Sequence, residues 1–145
     1  MIERNLHARV LVDVGPLVAI FRERDWQHAT CIETLNAIMP PMLTSWPVIT
    51  EAAYLLRDSA AGLQKLLAGP TDGLYRILPL VEDDMPAIAA LLRKYRMLAT
   101  QLADASLAYL AQREGLDTVF TLDRRDFSVL RCARNRPFRL LPETS

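Results

Sequence analysis

The chain has 145 residues, a length that predicts a single domain spanning residues 1–145. Hydrophobic residues make up 51% and charged residues 23%, which is close to ordinary globular usage and excludes a disordered, collagen-like or coiled-coil chain. Seventeen Lys and Arg residues balance seventeen Asp and Glu residues, and this zero net charge argues against indiscriminate binding to polyanions.

Strands and helices are predicted to alternate along the chain. Residues 8–14 form an apolar, β-branched run without alternation, which is typical of a strand buried on both faces of a parallel sheet. Gly15 and Pro16 are expected to end this strand before a helix begins at Leu17. The elements that follow are, in chain order, a helix over 17–22 that resumes over 28–38, a strand over 42–44, a helix capped by Ser45 that runs to about residue 57, a helix over 60–67, a strand over 75–78, helices over 82–95 and 102–113, a strand over 119–121, a turn over 123–127 and a strand over 138–141.

This alternation predicts an α/β fold with three layers, α/β/α, in which helices cover both faces of a five-stranded parallel sheet. Ligands of such sheets bind beyond the carboxyl ends of the strands. Acidic residues at those ends are therefore the first candidates for function.

Two carboxylates occupy positions where a charge is unexpected. Asp13 ends the apolar first strand, where it either faces a cleft or forms an Asx turn into Gly15. Glu51 lies on or beside the apolar stripe of its helix, because apolar residues precede it by three positions and follow it by one and four. A buried, unpaired Glu51 would be costly, so it needs a cleft, a donor or a cation, and pairing with an arginine such as Arg57 is the alternative.

Three further acids have both a functional and a purely structural interpretation. Asp104 stands in the first turn of its helix, where the helix dipole favours an Asp with or without a chemical role. Asp123 and Asp126 directly follow the fourth strand, and either of them can cap a short helix.

Topology allows all five acids to meet at one edge of the sheet, since three follow strand ends and two occupy early helical turns. Converging carboxylates repel one another, and a hard divalent cation with oxygen ligands, Mg²⁺ or Mn²⁺, relieves that repulsion. A cation held at the edge of a sheet suits phosphodiester hydrolysis. The sequence contains no phosphate-binding loop and no glycine-rich dinucleotide motif.

The segment from Arg124 to Arg139 contains six arginines and one acid, Asp126. Guanidinium groups bind phosphates in a bidentate manner, so the segment favours contact with a nucleic-acid backbone. Arg124, Arg125 and Arg131 are the candidate RNA-binding residues. The alternative is a solvated basic surface, or a set of pairing partners for acids elsewhere in the chain.

Cysteine usage and hydropathy bear on location. Cys31 and Cys132 are far apart and lack the spacing of a disulfide framework or a zinc site, so reduced thiols are expected. The chain has neither an apolar leader nor a run of about eighteen apolar residues. We therefore expect a cytoplasmic protein that does not associate with membranes.

Four motifs, in this order, resemble the PIN domain, and among PIN domains the VapC-like toxins of bacterial toxin-antitoxin pairs. They are LVDVGPLVA over 11–19, WPVITEAAYLL over 46–56, LADASL over 102–107 and VFTLDRRDF over 119–127. The resemblance implies a five-stranded parallel sheet between helices and Mg²⁺- or Mn²⁺-dependent endoribonuclease activity. It also implies a homodimer and inhibition by a small cognate antitoxin that inserts near the active site.

Carried over by position, the resemblance implies roles for individual residues. Asp13 and Asp104 match the principal metal-binding acids, and Glu51 matches the second acidic position. Asp123 matches the acid that follows the T-x-D strand end, with Asp126 as its neighbour. The catalytic set implied in this way is Asp13, Glu51, Asp104 and Asp123.

Other positions either extend the resemblance or depart from it. Thr44 or Ser45 matches a position where many members place a hydroxyl near the first acid. Many relatives carry further acids before the LADA motif, whereas this chain has Met97 and Gln101 there. The core acids remain, so metal-dependent cleavage is expected, with a second metal site or substrate handling altered. The alternative is a catalytically silent PIN-like module that binds RNA or a protein partner.

Overall fold

In the computed structural model, which describes residues 5–98 and 100–143, five short strands form one parallel sheet. The strands are β1 (Leu11–Val12), β2 (Met42–Thr44), β3 (Tyr75–Ile77), β4 (Thr118–Phe120) and β5 (Arg139–Leu141). Their order across the sheet is β3-β2-β1-β4-β5, and every neighbouring pair is parallel. The predicted five-stranded parallel sheet is confirmed, with β1 at its centre.

Among the described residues, seven α-helices flank this sheet. They are α1 (Val14–Phe21), α2 (His28–Leu35), α3 (Trp46–Leu55), α4 (Ala60–Leu67), α5 (Met85–Lys94), α6 (Leu102–Glu114) and α7 (Arg124–Phe127). The connections from β1 to β2 and from β2 to β3 step one way across the sheet, and those from β3 to β4 and β4 to β5 step the other way. Right-handed crossovers that reverse direction place their helices on opposite faces, which gives the predicted three layers.

The ends of several helices follow from local sequence. Ser45 and Ser59 cap α3 and α4, because their hydroxyl oxygens accept hydrogen bonds from the backbone N–H groups of Val48 and Gly62 at 3.4 and 3.1 Å. Helix α6 stops at Gly115, whose φ of 68° places it in the left-handed region that favours glycine.

Several element boundaries differ from the sequence prediction. Strand β1 is confined to Leu11–Val12 within the expected 8–14, and the helix expected over 28–38 ends at Leu35. Helix α1 begins at Val14, so Gly15 and Pro16 lie in its first turn, where a proline costs no hydrogen bond. The expected turn over 123–127 is the short helix α7, capped by Asp123. The helix expected over 82–95 is divided into a 3-10 turn, Glu82–Asp84, followed by α5.

The reversal of strand order places a crevice at the carboxyl ends of β1 and β4. Both strands are fully buried, so the residues that follow them emerge from the core at this edge. Asp13 follows β1 directly, and Thr121 follows β4 directly. Within the described residues, no helix has the length and apolar character needed to cross a membrane.

Candidate active site

A cleft of about 260 Å³ opens at this edge of the sheet, and five acids line it. They are Asp13 after β1, Glu51 in α3, Asp104 in the first turn of α6, and Asp123 and Asp126 at the start of α7. The structure therefore brings together every acid that the sequence nominated. Asp126, the least certain of them, lines the same cleft as the other four.

Asp13 is the most deeply placed of these acids, with 5% of its surface exposed. Its Oδ2 accepts a hydrogen bond of 2.8 Å from the Thr121 hydroxyl, whereas its Oδ1 is buried without a partner among the described residues. Burial raises the pKa of Asp13 to about 6, and the charges of Asp123 and Glu51 act in the same direction. Hydrogen bonds from the Val14 backbone and from Thr121 oppose this increase.

Asp104 shows the effect of neighbouring carboxylates more strongly. Burial, followed by the charges of Asp13 and Asp123, raises the pKa of Asp104 to about 7. A hydrogen bond from the Gln101 backbone opposes the increase, and Asp126 adds a smaller contribution to it. Without a cation, the carboxyls of Asp13 and Asp104 are therefore partly protonated close to neutral pH.

Three of the acids form a compact group of ligand atoms. One carboxylate oxygen from each of Asp104, Asp123 and Asp126 lies within 4.8 Å of the others. Burial and the adjacent Asp123 raise the pKa of Asp126 as well. Asp13 and Glu51 lie outside this triplet. The all-oxygen ligand set and the unpartnered Oδ1 of Asp13 both fit a hard divalent cation.

The hydroxyl nearest to the first acid belongs to Thr121 rather than to Thr44 or Ser45. Thr121 donates to Asp13 and accepts a hydrogen bond of 2.9 Å from the backbone N–H of Asp123, so it connects two acids. Thr44 donates instead to the Val12 carbonyl at 2.9 Å. Thr121 was not among the residues nominated from sequence, although the T-x-D spacing was the available signal.

Ser45 is also turned away from the acids. Its hydroxyl lies 2.7 Å from that of Ser106, and both side chains are fully buried. Neither serine lines the cleft. Ser106 carries no pattern in the sequence that would distinguish it from an ordinary buried serine of a helix.

The three candidate arginines have different surroundings. Arg124 donates to the Pro142 carbonyl at 2.5 Å. Arg131 donates to the carbonyls of residues 128, 129 and 130 at 2.9, 3.0 and 3.2 Å, just beyond the end of α7. The Arg131 carbonyl accepts a hydrogen bond from the Gln112 side chain. Gln112 lies eight residues beyond Asp104 in α6, a distance of ~12 Å along the helix axis. Arg125 is exposed, and its positive charge opposes the increase in the pKa of Asp126, which places Arg125 beside the cleft.

Residues 10–131 match the family model of the PIN domain. The chain belongs to the PIN domain family. The matched range includes all five acids of the cleft, so the family assignment and the geometry concern the same residues.

Two relatives place this PIN domain more closely. Ribonuclease VapC26 of Mycobacterium tuberculosis (strain ATCC 25618 / H37Rv) is 28% identical over 138 residues, which cover 92% of this chain and 100% of that protein. The crystal structure of M. tuberculosis VapC20, described as a sarcin-ricin loop cleaving toxin, superposes with a TM-score of 0.72 at 17% identity, covering 80% of this chain and 91% of the other. The predicted resemblance to VapC-like PIN domains is confirmed, as is the predicted fold.

Proposed function

We propose that this PIN-domain protein is a metal-dependent endoribonuclease and the toxin of a toxin-antitoxin pair. The observation that carries the proposal is the meeting of five carboxylates in one cleft, with a buried oxygen of Asp13 that lacks a partner. Similarity to a ribonuclease over 92% of the chain supports the same class of reaction.

In this proposal Asp13 and Asp104 hold Mg²⁺ or Mn²⁺, and Asp123 and Asp126 complete the oxygen ligands. The cation, when bound, lowers the pKa of a water molecule and neutralises charge on the phosphate. Glu51, on the α3 wall of the cleft, orients the attacking water and accepts its proton. Because the pKa values of Asp13 and Asp104 are raised to about 6 and about 7, both carboxyls must lose protons before they bind a cation. Cleavage should therefore increase as the pH rises through this range.

Contact with the RNA backbone is assigned first to Arg125, which is exposed beside the cleft. Arg124 and Arg131 already donate to backbone carbonyls, but a guanidinium has five N–H donors, so each retains donors for a phosphate. Phosphate contacts position the RNA without reading its bases.

An apolar groove beside the cleft supports the proposed protein partners. The groove, of about 930 Å³, is lined by α3, α5 and the start of α6, and it includes Trp46 and Met85, which are 60% and 66% exposed. Exposed apolar patches of this kind mark protein interfaces. We propose a cytoplasmic homodimer formed through this face, and a cognate antitoxin that blocks the cleft. Sedimentation of a wild-type dimer and a monomeric Met85→Glu variant would support the dimer, and a monomeric wild type would contradict it.

The activity is tested by incubating the wild type, Asp13→Asn and Asp104→Asn with RNA in the presence of Mg²⁺ or Mn²⁺. Asp72→Asn is the matched control, because Asp72 is exposed and lies outside the cleft. We expect the wild type and the control to cleave, and the two cleft variants to lose cleavage. Equal activity in all four proteins would refute the proposal. RNA binding without cleavage by the wild type would favour the catalytically silent module.

A further inference from the structure

Four hydroxyl-bearing side chains lie behind the acidic cleft, and none has exposed surface. They are Thr44, Ser45, Ser106 and Thr121. Burying a hydroxyl costs stability unless it forms a hydrogen bond, and each of these four forms at least one. Thr121 contacts an acid directly, whereas the other three bond to the elements on which the acids are carried.

The central pair of this group joins two helices. Ser106 donates to the Ala103 carbonyl at 2.7 Å, within the first turns of α6. A serine hydroxyl has a single proton, so Ser45 must donate the 2.7 Å bond between Ser45 and Ser106. The Ser45 oxygen also accepts from the Val48 N–H at 3.4 Å, where it caps α3. The pair therefore connects the N-cap of α3 with the second turn of α6.

Each of these helices carries a cleft acid close to the connection. Asp104 precedes Ser106 by two residues in α6, and Glu51 follows Ser45 by six residues in α3. Carboxylates that line one cleft repel one another, and that repulsion opposes a close arrangement of the elements that carry them. A buried hydrogen bond between the helices favours that close arrangement.

The same segment is also connected to the first strand. Thr44, next to Ser45, donates to the Val12 carbonyl, and Val12 directly precedes Asp13. Thr44 and Ser45 thus lie between β1 and α6. Thr44 forms a hydrogen bond to β1, and Ser45 forms one to α6.

We propose that Ser45 and Ser106 are positioning residues: their hydroxyl pair sets the distance between α3 and α6, and through it the geometry in which the acids of the cleft bind a divalent cation. The inference rests on the proposed function, because it requires that the cleft bind a metal ion. Neither serine touches the cation or the substrate.

The test is the affinity for Mn²⁺, measured by calorimetry on the full chain without RNA. Loss of a group that orients metal ligands weakens metal binding by about 10- to 100-fold, and because these serines act through two helices we expect about tenfold for Ser106→Ala and for Ser45→Ala. The double variant should be no weaker than either single variant, since each substitution breaks the same bond. Ser45→Thr keeps a hydroxyl and should restore much of the affinity.

Ser59→Ala is the matched control, because Ser59 caps α4 through a bond of the same kind but lies outside the acidic cleft. It should lower the melting temperature without changing the affinity for Mn²⁺. Wild-type affinity in Ser106→Ala and Ser45→Ala would overturn the inference. If Ser106→Ala fails to fold, the comparison of Ser45→Ala with Ser45→Thr decides, and equal affinities in those two would overturn it.

Failure of the proposed function gives a different result. A wild type that binds Mn²⁺ but leaves RNA intact refutes the nuclease and not the positioning role. A wild type that does not bind Mn²⁺ overturns both.

Discussion

Replacing Asp13 with Asn should stabilise the metal-free protein while abolishing cleavage of RNA. Asp13 is 5% exposed, and burial raises its pKa from 3.8 to about 6, so at pH 7.5 the folded protein contains a buried charge with one unpartnered oxygen. A pKa increase of this size corresponds to ~3 kcal/mol of stability lost at pH 7.5. An amide avoids this cost, and its oxygen can still accept the hydrogen bond from Thr121.

The sign of the pH dependence follows from proton linkage. Between pH 3.8 and about 6 the folded state binds the Asp13 proton more tightly than the unfolded chain does, so the contribution of this group to stability falls as the pH rises. Below pH 3.8 both states are protonated and the group costs nothing. The advantage of Asp13→Asn should therefore be small at pH 4 and reach its full size above pH 7.

The assay is urea denaturation in EDTA at pH 4 and pH 7.5, with Asp72→Asn as the control. We expect the variant to gain up to ~3 kcal/mol over the wild type at pH 7.5 only. Excess Mn²⁺ should then stabilise the wild type by mass action, and the variant much less. A variant that is no more stable than the wild type at pH 7.5 in EDTA would refute the assignment of Asp13 as a buried carboxylate whose charge destabilises the fold.

Three further predictions test other parts of the structure. Thr121→Val removes the hydroxyl that connects two cleft acids, and calorimetry should show Mn²⁺ affinity reduced by about 10- to 100-fold, whereas unchanged affinity would contradict that role. Arg125→Ala should weaken RNA binding, measured by fluorescence anisotropy, without altering the melting temperature. Arg131→Ala should mainly lower the melting temperature, because Arg131 bonds to backbone carbonyls. The reverse pattern would contradict both assignments. Gly69→Ala would place a Cβ 2.1 Å from the buried Tyr75 ring and should cost about 1–3 kcal/mol in urea denaturation, so a wild-type midpoint would be evidence against this contact.

The neutral charge of the chain conceals a separation of acids from arginines. Five acids converge in the cleft, while the segment from Arg124 to Arg139 carries a local excess of positive charge. Tertiary contacts divide that segment. Arg125 lies beside the cleft, whereas Arg131 binds backbone carbonyls, and Arg139 pairs with Glu143 at 2.5 Å. Composition left contact with RNA and a solvated or paired basic surface as alternatives for the whole segment, and the structure shows that its arginines have different surroundings.

Most of the cleft could be anticipated because it is built on strand ends. An acid at the end of a buried apolar strand, such as Asp13, emerges from the core at the carboxyl edge of the sheet. The carboxyl ends of parallel strands all lie at that edge, where ligands bind. The sequence could not say whether Asp123 caps a helix or lines the cleft. In the structure it does both, since its Oδ1 accepts from the Asp126 N–H at 3.2 Å while its side chain lines the cleft wall.

Local periodicity, strand-ending acids and the order of four motifs are properties of the chain itself, and for this reason the sequence by itself determined the α/β class, the family and the five acids. The contacts that position those acids join residues far apart in the chain. Thr121 and Asp13 are 108 positions apart, and Ser45 and Ser106 are 61 apart. In the unfolded chain a hydroxyl forms hydrogen bonds with water, and its partner within the protein is fixed only by the folded structure. Only the tertiary structure therefore decided which hydroxyls position the acids, and which three carboxylates present oxygens to a common point.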